Sequence, residues 1–248
     1  MEMTYVVGGS HIGCSLDIVE ILVALYFKVL NINPKKPFWI ERDKFILSKG
    51  HAALYVTLAN RGFFPEAKLK QYCQDGSRLA AHVTLGSLPG IEATSGSLGH
   101  GLSIGAGMAL AAKHKNLKSN IYVLTGDGEC MEGSVWEAAL FSSHHKLDNL
   151  IMIIDNNDLI TLGHIKETLS IYPLDKKLES FGWLVVTVDG HNIDKIARAL
   201  KTPHKGKPLA VIAHTIKGKG VSFMENHKEW HGKCPTKEEY ELALNELK

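Results

Sequence analysis

The chain has 248 residues, 28 Lys and Arg against 26 Asp and Glu, and a formal charge of +2; with basic residues scattered rather than striped, there is no electrostatic footprint for nucleic acid. Its most apolar stretch, residues 16–30, carries Asp17, Glu20 and Lys28 and is too short and too charged to span a bilayer, and the opening MEMTYVVGGS lacks the basic start and apolar core of a secretory leader. Cys14, Cys73, Cys130 and Cys234 make no CxxC pair and no metal-finger spacing, as expected of reduced thiols in a cytoplasmic protein.

Ser15 is placed to cap a helix running to about residue 30, with Asp17 and Glu20 in a first turn where the helix dipole favours acids. Residues 45–47 read as a short strand and 52–60 as a helix. Pro65 opens another helix that ends near Asp75-Gly76. Residues 77–94 show no period and read as a long loop, and loops of that length inside a domain are commonly functional. SLGHGLSIGAGMALAAK, residues 97–113, reads as a small-residue helix. Each glycine inside it costs about 1 kcal/mol relative to alanine, a cost that close approach of another backbone would offset. Strands are then predicted at 121–125, 150–154, 184–188 and 209–213. Helices are predicted at 131–146, 174–181, 193–200 and, amphipathic, at 236–247. This alternation predicts an α/β domain with a mostly parallel sheet.

Gly126-Asp127-Gly128 follows directly on the strand at 121–125. In such folds ligands sit beyond the carboxyl ends of strands. Glycine lets the backbone approach a bulky anion, and a helix starting near Met131 aims its free N–H groups at the same place. The next strand ends in Asp155-Asn156-Asn157-Asp158. On neighbouring parallel strands the two clusters share one rim, where Asp127 offers a carboxylate oxygen and Asn157 an amide oxygen to one hard cation. Magnesium takes few oxygens from protein and the rest from phosphate and water. GDG alone is common in turns; the pairing of the two clusters is what suggests a magnesium–diphosphate site.

That pairing resembles the thiamine diphosphate motif: GDG, an intervening helix and strand, then two amides. More narrowly, the chain resembles the N-terminal, cofactor-diphosphate-binding part of transketolase. The resemblance covers nearly the whole chain, carried in order by GSHIGCSLDIVEILVALYF, RDKFILSKGHAALY, GIEATSGSLGHGLSIGAGMA, TGDGECMEGSVWEAA, TIKGKGVSFME and EWHGKCP. It implies the thiamine-diphosphate-binding fold, a mostly parallel sheet flanked by helices on both faces, with residues 1–248 as one domain. It implies thiamine diphosphate as cofactor and a metal ion (Mg, or Ca or Mn) held by Asp127, Asn157 and the main-chain carbonyl of Leu159. Gly126 and Gly128 would line the diphosphate, and Gly96 and Leu98 would touch the aminopyrimidine and the thiazolium. His51 and His231 match diphosphate neighbours. His11, His82 and His231 match the group on the donor sugar, and His100 could serve either place. Histidine can both give and take protons near neutral pH. His11 stands in Gly-Ser-His, where the family's usual order is Ser-Gly-His. His191 is expected to be structural. Glu132 matches a glutamate between two cofactor sites across a subunit interface, which implies self-association through that region.

The same resemblance places the pyrimidine-binding domain outside this chain, on a partner C-terminal transketolase subunit. The expected unit is a split transketolase, a heterotetramer that moves a two-carbon ketol unit from a ketose to an aldose, with sugars or sugar phosphates as substrates. The alternatives are a subunit of another thiamine diphosphate enzyme (1-deoxyxylulose-5-phosphate synthase-like or 2-oxo acid dehydrogenase α-like) or a non-catalytic cofactor-binding subunit. A dinucleotide binder would want GxGxxG opening a helix early in the chain, and none is well placed.

Overall fold

Central parallel strands are covered on both faces and so read as continuous apolar runs. IYVLTG and LIMIIDN have that character, and every residue of both is buried. In the computed structural model, which describes residues 1–248, they are two of the three inner strands of one five-stranded sheet. The strands are β1 (Lys44–Leu47), β2 (Ile121–Gly126), β3 (Leu150–Asn156), β4 (Leu184–Asp189) and β5 (Leu209–His214). All pairs are parallel and the order is β1-β2-β3-β5-β4. The helices are α1 (Glu2–Val6), α2 (Ile12–Leu16), α3 (Val19–Ala24), α4 (Ala53–Asn60), α5 (His100–His114), α6 (Gly133–His144), α7 (Ile165–Thr168), α8 (Leu174–Ser180), α9 (Ile193–Ala199) and α10 (Lys237–Glu246).

Successive strand residues point to opposite faces, and this sorts the core into two layers. Phe45, Leu47, Tyr122, Leu124, Ile151 and Ile153 pack with apolar residues of α3, α4 and α9. Ile46, Ile121, Val123, Leu150, Met152 and Ile154 pack with those of α5, α6 and α8. The sheet is thus flanked by helices on both faces, as expected. No helix is long and apolar enough to cross a membrane.

The glycines of α5 bring it onto the sheet. A Cβ at Gly101 would lie 2.2 Å from Ser48 Oγ, and one at Gly105 would lie 2.4 Å from Val123 Cγ2. The helix does come close to the sheet, but chiefly to side chains at the end of β1 and on β2 rather than to another backbone as expected.

Several boundaries differ from the sequence reading. The single helix expected over 15–30 is broken into α2, α3 and a π-helical turn at Leu25–Val29. Ser15 is no cap: it lies inside α2, and its hydroxyl donates to the His11 carbonyl at 2.9 Å. Asp17 is no solvated first-turn acid either. It is fully buried, and the break in the helix lets it receive the Asn157 amide at 2.9 Å. Pro65 opens only a 3₁₀ turn, Glu66–Gln71. The helix expected from residue 97 starts at His100, because Gly96 and Gly99, with φ of 114° and 83°, form a turn that side-chain-bearing residues avoid. The helix expected from Met131 starts at Gly133, after a 3₁₀ turn at Gly128–Met131.

Candidate active site

The carboxyl ends of β1, β2, β3 and β5 meet in one polar rim. The parallel register pairs Gly126 with Asp155, so Asp127 and the amide pair leave neighbouring strands side by side. Asp127 is buried, and each of its oxygens is fixed. Oδ1 accepts from the Gly128 N–H at 2.7 Å; Oδ2 accepts from Asn156 Nδ2 at 2.9 Å and from the Asp158 N–H at 2.6 Å. Burial, then the nearby Asp155 charge, pushes its carboxyl up to about 6. Asn157 donates both amide protons inward, to Asp17 Oδ2 at 2.9 Å and Asp155 Oδ2 at 3.1 Å. Its Oδ1 accepts from the Leu159 N–H at 3.0 Å and keeps a second lone pair. The Leu159 carbonyl accepts no hydrogen bond. These three groups could hold a divalent cation, with most of its coordination left to another ligand, and no group of three or more His, Cys, Asp or Glu competes as a metal site.

Beneath this rim lie charges whose partners the sequence reading did not foresee. Lys49, just after β1, pairs with Asp155 on β3, and both are buried. Burial raises Asp155, but Lys49, Thr215 and Lys217 more than reverse this and hold its carboxylate below the ordinary range. Asp17 goes the other way: burial, then Asp155, raises it well above that range. Glu129 is buried too. It accepts from the Ser48 hydroxyl, from the Gly99 N–H at 2.8 Å and from the Gly126 N–H at 3.2 Å, tying β1, the α5 turn and β2 together. Lys217, after β5, is 2 % exposed and makes no ion pair; its Nζ donates to Cys14 Sγ at 3.2 Å. Every one of these residues lies at or near the carboxyl end of a strand or in a motif already notable for its glycines.

Four histidines gather beside the rim. The His11 ring lies 4.6 Å from His51, 5.5 Å from His82 and 5.1 Å from His231, centroid to centroid. His11 occupies a left-handed position, φ 68°, at the head of α2, and its N–H donates to the His231 carbonyl at 2.8 Å. Ser10 Oγ engages His11 Nδ1 at 2.7 Å, so the Gly-Ser-His order places a hydroxyl directly on the ring. Burial, followed by neighbouring positive and imidazole groups, lowers His11 to about 4. Burial, then Lys217 and Lys49, lowers His231 to about 4. His51 is driven well below its usual value by burial and Lys49, and its buried Nδ1 has no partner. Neutral imidazoles each present one donor and one acceptor, which suits a group facing a polyhydroxylated ligand.

The other candidates are placed as follows. Gly96 packs under His82, where a Cβ would come within 2.6 Å of the ring. Leu98 is exposed on the turn before α5, and His100, the first residue of α5, is exposed and makes no ring contact with the four clustered histidines. A Cβ at Gly126 would meet Lys49 Cδ at 3.4 Å, so the lysine stem runs close over the first glycine of GDG. Glu132 is exposed at the N-cap of α6. His191 bridges Glu20 and the Ile216 N–H at 3.2 and 2.8 Å, a structural role as expected.

The model of the family "Transketolase, thiamine diphosphate binding domain" matches residues 2–247. The chain belongs to the transketolase family. The transketolase fold is equally plain in the structure: transketolase from Campylobacter jejuni superposes with a TM-score of 0.92 at 30% identity, over 99% of this chain and 40% of that one. An apulose-4-phosphate transketolase subunit of Actinobacillus succinogenes is 49% identical over 97% of this chain and 88% of its own length. The 6-deoxy-6-sulfo-D-fructose transketolase subunit SqwG of a Clostridium species is 43% identical over 97% of this chain and 89% of its own. The chain thus spans most of two transketolase subunits and about two fifths of the solved transketolase. Transketolases are ketol-transferring transferases, and this chain carries their thiamine diphosphate-binding domain.

Proposed function

We propose that the chain is the cofactor-diphosphate-binding subunit of a two-component transketolase, moving a two-carbon ketol unit from a ketose to an aldose. The observation that carries this reading is the convergence on one rim of Asp127, Asn157 and the four-histidine group. Relatives named as subunits support a partner chain that supplies the pyrimidine-binding domain. Two copies of each chain would make a heterotetramer, joined in part through the exposed Glu132 at the head of α6. Leu140 and Phe141, exposed on the same helix, favour such a contact. Four free cysteines suit a cytoplasmic location.

The residues fit the cofactor. Asp127, Asn157 Oδ1 and the Leu159 carbonyl would hold Mg²⁺, or Ca²⁺ or Mn²⁺, against the diphosphate. The Gly128 N–H, His51, His231 and the unpaired ammonium of Lys217 would face the phosphate oxygens, and Gly96 and Leu98 the rings. When bound, thiamine diphosphate supplies the electron sink for breaking a carbon–carbon bond beside a carbonyl. The chain's own part is placement and proton handling. His11, His82 and His231 hold and pass protons at the sugar hydroxyls.

Substrates are sugars or sugar phosphates of the kind named for the relatives. The test is ketose-dependent transfer of two carbons to an aldose by the two-chain complex, with thiamine diphosphate and Mg²⁺. Release of carbon dioxide from a 2-oxo acid, or no turnover on any ketose, would overturn the reading in favour of the other thiamine diphosphate enzymes or a non-catalytic subunit.

A further inference from the structure

Tyr172 belongs to neither strand that carries the candidate cation ligands, yet its hydroxyl reaches both residues that hold Asp127 Oδ2. It accepts from Asn156 Nδ2 at 2.8 Å and donates to Asp158 Oδ1 at 3.1 Å. Asn156 Nδ2 in turn donates to Asp127 Oδ2 at 2.9 Å, and the Asp158 N–H donates to the same oxygen at 2.6 Å. One hydroxyl therefore closes a ring of groups around a single carboxylate oxygen.

Asp158 is held on every side. Its φ of 61° is left-handed, a conformation uncommon outside glycine and one that Asp takes more often than most residues. Its side chain is held by Tyr172 on one oxygen and by His164 Nδ1, at 3.2 Å, on the other. The turn it makes delivers Leu159, whose carbonyl is free of hydrogen bonds. Tyr172 is itself well anchored, since Ile171 and Leu174 on either side of it are buried in the core.

We propose that Tyr172 is a positioning residue for the divalent-cation site, setting Asp127 through Asn156 and setting the Leu159 carbonyl through the Asp158 turn. The proposal rests on the reading of Asp127, Asn157 and Leu159 as cation ligands. Asn156 with the Tyr172 oxygen as acceptor keeps an N–H aimed at Asp127. Asp158 with the Tyr172 proton keeps its carboxylate away from the carboxylate of Asp127. Without the hydroxyl both residues are free to turn, and the cation meets a ligand set that must be reassembled on binding. Outer partners of metal ligands are typically worth 10–100-fold in affinity.

The test is Tyr172→Phe, which removes one oxygen and keeps the ring. Mn²⁺ is titrated into the two-chain complex with thiamine diphosphate present, and free Mn²⁺ is read from its electron paramagnetic resonance signal. The expected result is Mn²⁺ binding weakened by about tenfold, with kcat at saturating Mn²⁺ retained and the half-activating Mn²⁺ concentration raised by the same factor. A purely structural hydroxyl would lower the thermal midpoint of the metal-free protein and leave Mn²⁺ affinity unmoved, and that result overturns the proposal. Asp158→Gly, which suits the left-handed turn and deletes the side chain Tyr172 holds, is a second variant expected to weaken Mn²⁺ binding; unchanged affinity there is equally fatal. Asp127→Ala separates the two levels. If it abolishes uptake while Tyr172→Phe binds normally, only the role of Tyr172 falls. If Asp127→Ala binds Mn²⁺ unaltered, or the natural complex takes up none, the cation reading falls and the proposal with it.

Discussion

Lys49 and Asp155 form an ion pair that joins the ends of β1 and β3, two strands separated by β2. The lysine stem crosses over Gly126 to reach its partner. Asp155 is wholly buried and also receives Thr215 and Asn157. Removing one member of such a pair strands the other. Lys49→Met should therefore cost about 3–5 kcal/mol, seen as a lower denaturant midpoint, and adding Asp155→Asn should recover much of it. An unchanged midpoint in Lys49→Met would show that the pair does not support the rim.

Asp127 has the opposite relation to its surroundings. Its burial disfavours the charged form, so the carboxylate gains from a cation rather than from another side chain. Thiamine diphosphate with Mg²⁺ should raise the thermal midpoint of the complex by mass action. A chelator should remove the rise, and Asp127→Ala should show none. A rise that survives chelation counts against a metal ion at this place.

His11 and His231 should titrate near pH 4, their depressed values, rather than at the ordinary 6.5. Between those limits the unfolded chain binds more protons than the folded one, so their contribution to stability grows as pH rises from about 4 to about 6.5 and is level above. The imidazole resonances of the two residues, followed by NMR with single His→Gln variants for assignment, give the midpoints directly. Midpoints near 6.5 would mean that the group is open to water.

Gly105 tests the approach of α5 to the sheet. Gly105→Ala places a methyl 2.4 Å from Val123 Cγ2, which should cost about 1–3 kcal/mol of stability as overpacking. Val123→Ala in the same chain makes room and should return part of the loss. Additive losses in the double variant would show that the two residues are not in contact.

The parallel sheet, its strands and the Asp127–Asn157 pairing were legible because each depends on local pattern: buried apolar runs, helices between them, and polar clusters just past strand ends. The histidines were legible only through motif resemblance, since nothing local distinguishes His82, which lies in the histidine cluster, from His204, which bonds the Lys207 carbonyl on the surface. Asp17 misled because an acid two residues past a serine looks like a helix-capping signal. Its true partner, Asn157, lies 140 residues away. Lys49 and Lys217 escaped notice for the same reason: a lysine beside glycines looks solvated until the strand ends are brought together. Tyr172 carries no pattern at all, and only the fold shows which loop it reaches.

The bond from the His11 amide to the His231 carbonyl has a bearing on how the protein is made. The stretches it joins stand far apart in the chain, and Tyr5 and Tyr240 stack at 4.2 Å as a second fastening. The ribosome releases the first partner early and the second late, and β5, which completes the sheet, ends at His214, shortly before His231. Until then the group of four histidines lacks its last member, so that group is completed only at the very end of synthesis.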